Sequence, residues 1–178
     1  MLRYLSTLLE LENVSLSSDL LHKTWLKTCY QLAQKSKHPT TKIAALLVKD
    51  QQIILDGKNE LPEGVKAIAE RFADINRHLY SNHAKRDLVY KAAKNGIATN
   101  NLCIVTSWHP CLQCANAIIS SGISQLVIHK QMVERTNENW QLEMLEAAQI
   151  LVEAGIEVLM YDGLVNKKSL MNKEWWKA

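Results

Sequence analysis

Three side chains in this sequence have the types and spacing to hold a metal ion. They are His83, and the cysteines of the run Pro110-Cys111-Leu112-Gln113-Cys114. Zinc takes imidazole nitrogen and thiolate sulfur, and a catalytic zinc keeps three protein ligands plus a water. Cys111 and Cys114 are three apart, so they share one face at the start of a helix. Pro110 suits the first turn of that helix, where its missing N–H is not needed. A helix N-terminus favours anions and lowers the cost of holding two thiolates. Ser81 or Asn82 is placed to cap a second helix and set the His83 imidazole at its start. The chemistry of such a centre is activation of water, whose pKa falls to about 7 on zinc.

A lone C-x-x-C also serves as a redox pair or as half of a structural zinc site. A structural site needs a fourth ligand, and the chain has no second C-x-x-C. Cys29 and Cys103 sit among apolar residues and read as small core residues. The open, catalytic type of zinc site is therefore the favoured reading.

The 178 residues suit one domain with a substantial core. Hydrophobic content of 47% and charged content of 22% are ordinary for a globular protein. A formal net charge of +3 permits an anionic ligand without arguing for a nucleic-acid-binding face. Met1 to Val14 is leucine-rich, but Glu10 and Glu12 break it, so it reads as neither signal peptide nor anchor. No later segment is apolar enough to span a membrane. Four cysteines, two of them committed to metal, fit a reducing cytoplasm better than a disulfide framework.

The elements that must position the ligands follow from hydrophobic pattern. Residues 1–17 read as an N-terminal extension, 18–165 as the domain and 166–178 as a polar tail holding Trp175-Trp176. Leu20 to Lys35 has helical spacing. Ile43 to Val48 and Ile53 to Leu55 read as strands joined by a turn at Lys49 to Gln52. Gly57 to Asn82 reads as a long loop with some helical character, and loops of that length are usually functional. His83 to Asn95 is a helix stopped at Asn95-Gly96. Leu102 to Thr106 is a strand leading into the helix Cys111 to Ser121. Gln125 to His129 is a strand, Asn139 to Ala154 a helix, and Val158 to Tyr161 the last strand. The first strand pair is antiparallel, and the later strand–helix alternation predicts parallel strands. The expectation is a three-layer α/β/α fold with a mixed five-stranded sheet. The metal ligands then lie at helix N-termini near the carboxyl ends of strands.

With lysine in place of glutamate, His83-Ala84-Lys85 and Pro110-Cys-x-x-Cys114 follow the H-x-E…P-C-x-x-C pattern of zinc deaminases. From Trp25 to Gly163 the chain resembles the deoxycytidylate deaminase branch of the cytidine deaminase superfamily. The likeness is carried by Ser36 to Thr41 with the Ile43–Val48 strand and by Gly57-Lys58-Asn59-Glu60-Leu61-Pro62. It continues in His83-Ala84-x-Arg86, in Tyr90 to Gly96, and in Glu153 to Val158 with Tyr161-Asp162-Gly163. The resemblance implies zinc on His83, Cys111 and Cys114, attack of activated water on C4 of cytosine, and release of ammonia to leave uracil. It implies that Asn59 hydrogen-bonds the substrate sugar, although an asparagine in such a loop also serves turns. The main chain of Ala84 and of the Pro110-Cys111 turn would face the base. Lys42, Lys58 and Arg86 are further cations, each more simply read as a solvated surface charge. The resemblance also implies a pyrimidine nucleotide as substrate, assembly as a homo-oligomer and, as in some members, a deoxynucleoside triphosphate effector.

Lys85 departs from the pattern. The glutamate found there in the family moves protons from water to N3 and to the leaving amine. General acid–base catalysis is worth about 10²–10⁴-fold. A cation beside zinc should be pushed out towards solvent or an acidic neighbour. Three readings stand: a substitution that impairs a normal enzyme, a zinc-binding pseudo-deaminase that binds nucleotide or regulates a partner, or a different proton carrier. Lys85 itself with a lowered pKa, Asp87 or His109 would fill that last role. The first is favoured because the rest of the pattern is intact. An RNA or tRNA deaminase would call for a more basic surface and a compact loop before the histidine.

Overall fold

In β2 (Ala44–Lys49) five consecutive residues, Ala44 to Val48, are buried. A strand buried on both faces needs layers on both sides, and that requirement organises the molecule. The computed structural model describes residues 2–73 and 76–178. The sheet has six strands in the order β1-β6-β5-β4-β2-β3. These are β1 (Val14–Ser17), β2, β3 (Gln52–Lys58), β4 (Cys103–Thr106), β5 (Gln125–His129) and β6 (Glu157–Tyr161). β1, β6, β5 and β4 run parallel to their neighbours, while β2 pairs antiparallel with β4 and β3.

The five-stranded expectation is one strand short. The sixth comes from Val14-Ser15-Leu16-Ser17, four residues with too little pattern to read as a strand. They gain their partner only from the tertiary fold, pairing in register from Val14 with Val158 to Ser17 with Tyr161. The preceding helix α1 (Leu2–Leu9) buries Tyr4 and Leu8 in the same core as Met144 and Leu151 of α7 (Glu138–Glu153).

Successive side chains of a strand point to opposite faces. Ala45 and Leu47 accordingly face a core formed with α4 (Ala84–Lys94), α5 (Leu112–Ser120) and α7. Ala44, Leu46 and Val48 face the other core, under Trp25, Leu26, Cys29 and Tyr30 of α2 (Leu20–Ala33). The three-layer α/β/α arrangement therefore holds. Two short α-helices, α3 (Asn76–Tyr80) and α6 (Lys130–Val133), and a 3₁₀ turn at Ala69–Arg71 complete the helices among the described residues. The polar tail is a hairpin of β7 (Lys168–Met171) and β8 (Glu174–Lys177). Its turn places Asn172 and Lys173 at φ of 53° and 70°, the left-handed pair that tight hairpins favour. Among the described residues, no helix is long and apolar enough to cross a membrane.

His129 ties the hairpin to the sheet. Its ring is stacked near Tyr161 and Trp176, and Arg135 lies 4.4 Å above the Trp176 ring. Nε2 is 2.9 Å from the Gly163 carbonyl, which can only accept, so Nε2 carries the proton. Nδ1 then accepts from the Tyr30 hydroxyl at 2.7 Å. This arrangement fits the neutral ring, and burial pushes the pKa of His129 below the ordinary histidine value. Burial does the same to His38, pushed down to about 4. The unfolded chain therefore binds protons that the folded chain does not as pH falls below about 6.5. Stability should be full above that pH and decline towards pH 4, as read by urea denaturation. His129→Gln should flatten the slope of stability against pH; an unaltered slope would contradict this origin.

Candidate metal centre

His83 is itself the N-cap of α4, and Cys111 is the N-cap of α5. Neither Ser81 nor Asn82 caps α4. Asn82 is held one step earlier by a two-way main-chain pair with Glu60. Pro110 likewise lies before the cap rather than in the first turn. The two helices pack side by side, so their N-termini meet.

Gly57 of β3 sets how closely α4 can approach. A Cβ there would stand 2.5 Å from the Ala84 carbonyl oxygen and 2.6 Å from the Leu88 nitrogen, both main-chain atoms. The Asp87 carboxylate locks the same contact, accepting from the Lys58 N–H at 2.9 Å and pairing with Lys91 at 2.6 Å. Asp87 is thus committed to holding β3 against α4.

The ligand atoms converge. His83 Nδ1 lies 3.3 Å from Cys111 Sγ and 3.6 Å from Cys114 Sγ, and all three atoms lie within 4.8 Å of one another. Zinc–sulfur and zinc–nitrogen bonds of about 2.3 and 2.0–2.1 Å, at a tetrahedral angle, separate the atoms by roughly 3.6 Å. The residues present therefore fit zinc. The Cys114 thiol, and after it His83, hold Cys111 well below the ordinary thiol range. The bond to Cys111, and then burial, push Cys114 up. One sulfur is thus poised as the thiolate that a metal needs.

Lys85 is not expelled. It is buried with only 4% of its surface exposed, and among the described residues it has no carboxylate partner. Burial lowers its pKa, while the sulfurs of Cys114, Cys111 and Cys29 oppose that shift. Of the sulfurs it faces, Cys111 is the one held towards the thiolate, while burial pushes the Cys29 thiol up and the bond to Cys111 does the same to Cys114.

The ligands open onto a cavity. Ala84, Lys85, His109 and Cys111 line the metal end. Asn59 lines it too, although its amide is largely engaged. Oδ1 accepts from Ser36 Oγ at 2.8 Å and from the Ile43 N–H at 2.9 Å, and Nδ2 donates to the Thr41 carbonyl. Pro110 is buried and outside the lining, with its carbonyl accepting from His109 Nδ1 at 2.8 Å. Lys42 donates to the Gln34 and Ser36 carbonyls, Lys58 pairs with Asp56 and Glu60, and Arg86 donates to Gln113. None of these three cations lines the cavity.

Sequence reading passed over the side walls. Trp140 of α7 lies 6.5 Å from His83, 5.8 Å from His78 and 6.3 Å from Trp108, ring centre to ring centre. His38, Arg77 and His78 also line the cavity. The Ser36–Thr41 and Gly57–Asn82 segments drew notice in sequence, but which of their side chains face the cavity depends on the tertiary fold that brings α3, α7 and the loop after α2 together.

Residues 20–130 match the model of the cytidine and deoxycytidylate deaminase zinc-binding region. The chain belongs to this deaminase family. Its relatives include the "Uncharacterized deaminase in luxG 3'region" of Aliivibrio fischeri. It is 28% identical over 138 residues, covering 75% of this chain and 91% of that one. The deoxycytidylate deaminase of Enterobacteria phage T4 is 25% identical over 192 aligned positions, covering 85% and 93%. The crystal structure of the dCMP deaminase from cyanophage S-TIM5, in complex with dCMP and dUMP, superposes with a TM-score of 0.62 at 18% identity. It covers 81% of this chain and 98% of that one, which shows a shared fold.

Gly57→Ala should lose most of the bound zinc by elemental analysis of the purified protein, because the new methyl must displace the main chain of the His83 helix. Full zinc occupancy in that variant would contradict the role given to Gly57.

Proposed function

We propose that this deaminase scaffold acts on a cytosine nucleotide, converting deoxycytidylate to deoxyuridylate and ammonia, with turnover impaired by Lys85. The observation that carries the reading is the convergence of His83, Cys111 and Cys114 at the end of a cavity that Asn59 and Ala84 also line. The deoxycytidylate deaminases among the relatives support the substrate.

When bound, zinc supplies Lewis-acid activation of a water molecule. The other contributions belong to the chain. Trp108, Trp140 and Met144 give the cavity apolar walls suited to a flat base. Asn59 has spent both acceptor sites and one N–H on the main chain and Ser36, which leaves one N–H to offer a sugar hydroxyl. Ala84, the first residue of α4, lines the same cavity.

Hydrolysis of the 4-amino group needs a group that takes a proton from water and returns protons to N3 and the departing amine. A lysine ammonium has three donors and no acceptor. While charged, Lys85 cannot begin that sequence. A second reading, a nucleotide-binding protein without turnover, draws on the same lysine, which lines the cavity where the reaction needs a proton acceptor.

Lys85→Glu should raise ammonia release from deoxycytidylate by about 10²–10⁴-fold, the usual worth of a positioned acid–base group. A folded, zinc-loaded variant that binds the nucleotide yet stays as slow as its parent would favour the second reading.

A further inference from the structure

The C-terminal hairpin lies beyond the residues that match the family model, yet its turn reaches the cavity. Lys173 N–H donates to the Thr40 carbonyl at 2.8 Å, and Asn172 N–H donates to Thr41 Oγ1 at 3.1 Å. Lys42 N–H returns a bond to the Leu170 carbonyl at 2.9 Å. The hairpin is thereby fastened to the Thr40–Lys42 segment, and Thr40, Thr41 and Asn172 all line the cavity.

Contacts give the cavity a direction. The His83 ring, at the metal end, is 6.5 Å from His78, and His78 is 6.5 Å from His38. His38 Nδ1 is 3.5 Å from Thr40 Oγ1, and Thr40 holds the hairpin turn. Asn172 lines the cavity and is exposed, so the turn stands at the mouth of the cavity. Arg77, adjacent to His78 in α3, lines the same cavity. A base seated at the metal end directs its sugar and phosphate away from the metal, towards this rim. Among the described residues the side-chain amide of Asn172 has no hydrogen-bond partner, and its left-handed backbone suits asparagine.

We infer that the hairpin is a wall of the nucleotide site and that Asn172, with Arg77, selects the sugar–phosphate end of a nucleoside 5′-monophosphate. This inference rests on the cytosine-nucleotide reading of the cavity. Asn172 acts on selection and takes no part in the proton transfers.

The test is calorimetric titration of the zinc-loaded full chain with deoxycytidylate and with deoxycytidine. Asn172→Gly keeps the left-handed turn and removes the amide. Asn172→Asp keeps the turn and sets a negative charge against the phosphate. Deoxycytidylate affinity should fall about tenfold in Asn172→Gly, the usual worth of a hydrogen bond to a charged group, and further in Asn172→Asp. Deoxycytidine affinity, zinc content and melting temperature should hold. Unchanged deoxycytidylate affinity in both variants, or an equal loss for both ligands, would overturn the assignment and leave the deaminase reading in place. A parent chain that binds neither ligand would overturn the deaminase reading, and the assignment with it.

Discussion

Two helix N-termini must meet within a few ångströms for one ion to bind His83, Cys111 and Cys114 together. That constraint reaches well beyond the ligands. It requires α4 and α5 to pack on the same face of the sheet, over Leu47, Ile104 and Leu126. It requires β3 to pass so close to α4 that only glycine fits at position 57. It also explains why Asp87, the charged residue one turn along α4, is spent on the Lys58 N–H and Lys91 rather than on the cavity. Each of these contacts acts on the main chain beside a ligand, so a small shift at any of them separates nitrogen from sulfur.

Lys85 tests how much of this architecture is chemistry and how much is fold. Lys85 is buried at the metal end beside sulfurs, and among the described residues it has no carboxylate partner. The fold and the convergence of His83, Cys111 and Cys114 coexist with a lysine at position 85.

The ligands were legible in sequence because zinc chemistry restricts both residue type and spacing. β2 was legible because five apolar residues in a row demand cover on two faces. β1 was not, since Val14-Ser15-Leu16-Ser17 becomes a strand only when β6 offers a partner. The hairpin was missed because its turn uses Asn172-Lys173 at positive φ where glycine would have signalled it. Trp140, His78 and Asn172 reach the cavity from ordinary-looking elements, so their placement is a property of the tertiary fold. Neither Ser81 nor Asn82 caps the first helix and Pro110 lies outside the first turn of the second, because His83 and Cys111 themselves occupy the capping positions. Ligand and cap coincide, which puts each donor atom at the helix mouth.

The most direct measurement is the zinc X-ray absorption spectrum of the purified, zinc-loaded chain. The account predicts one zinc per chain with two sulfurs at about 2.3 Å, one imidazole nitrogen at about 2.0–2.1 Å and one further light ligand. A chain without stoichiometric zinc, or a shell with no sulfur or four sulfurs, would contradict it.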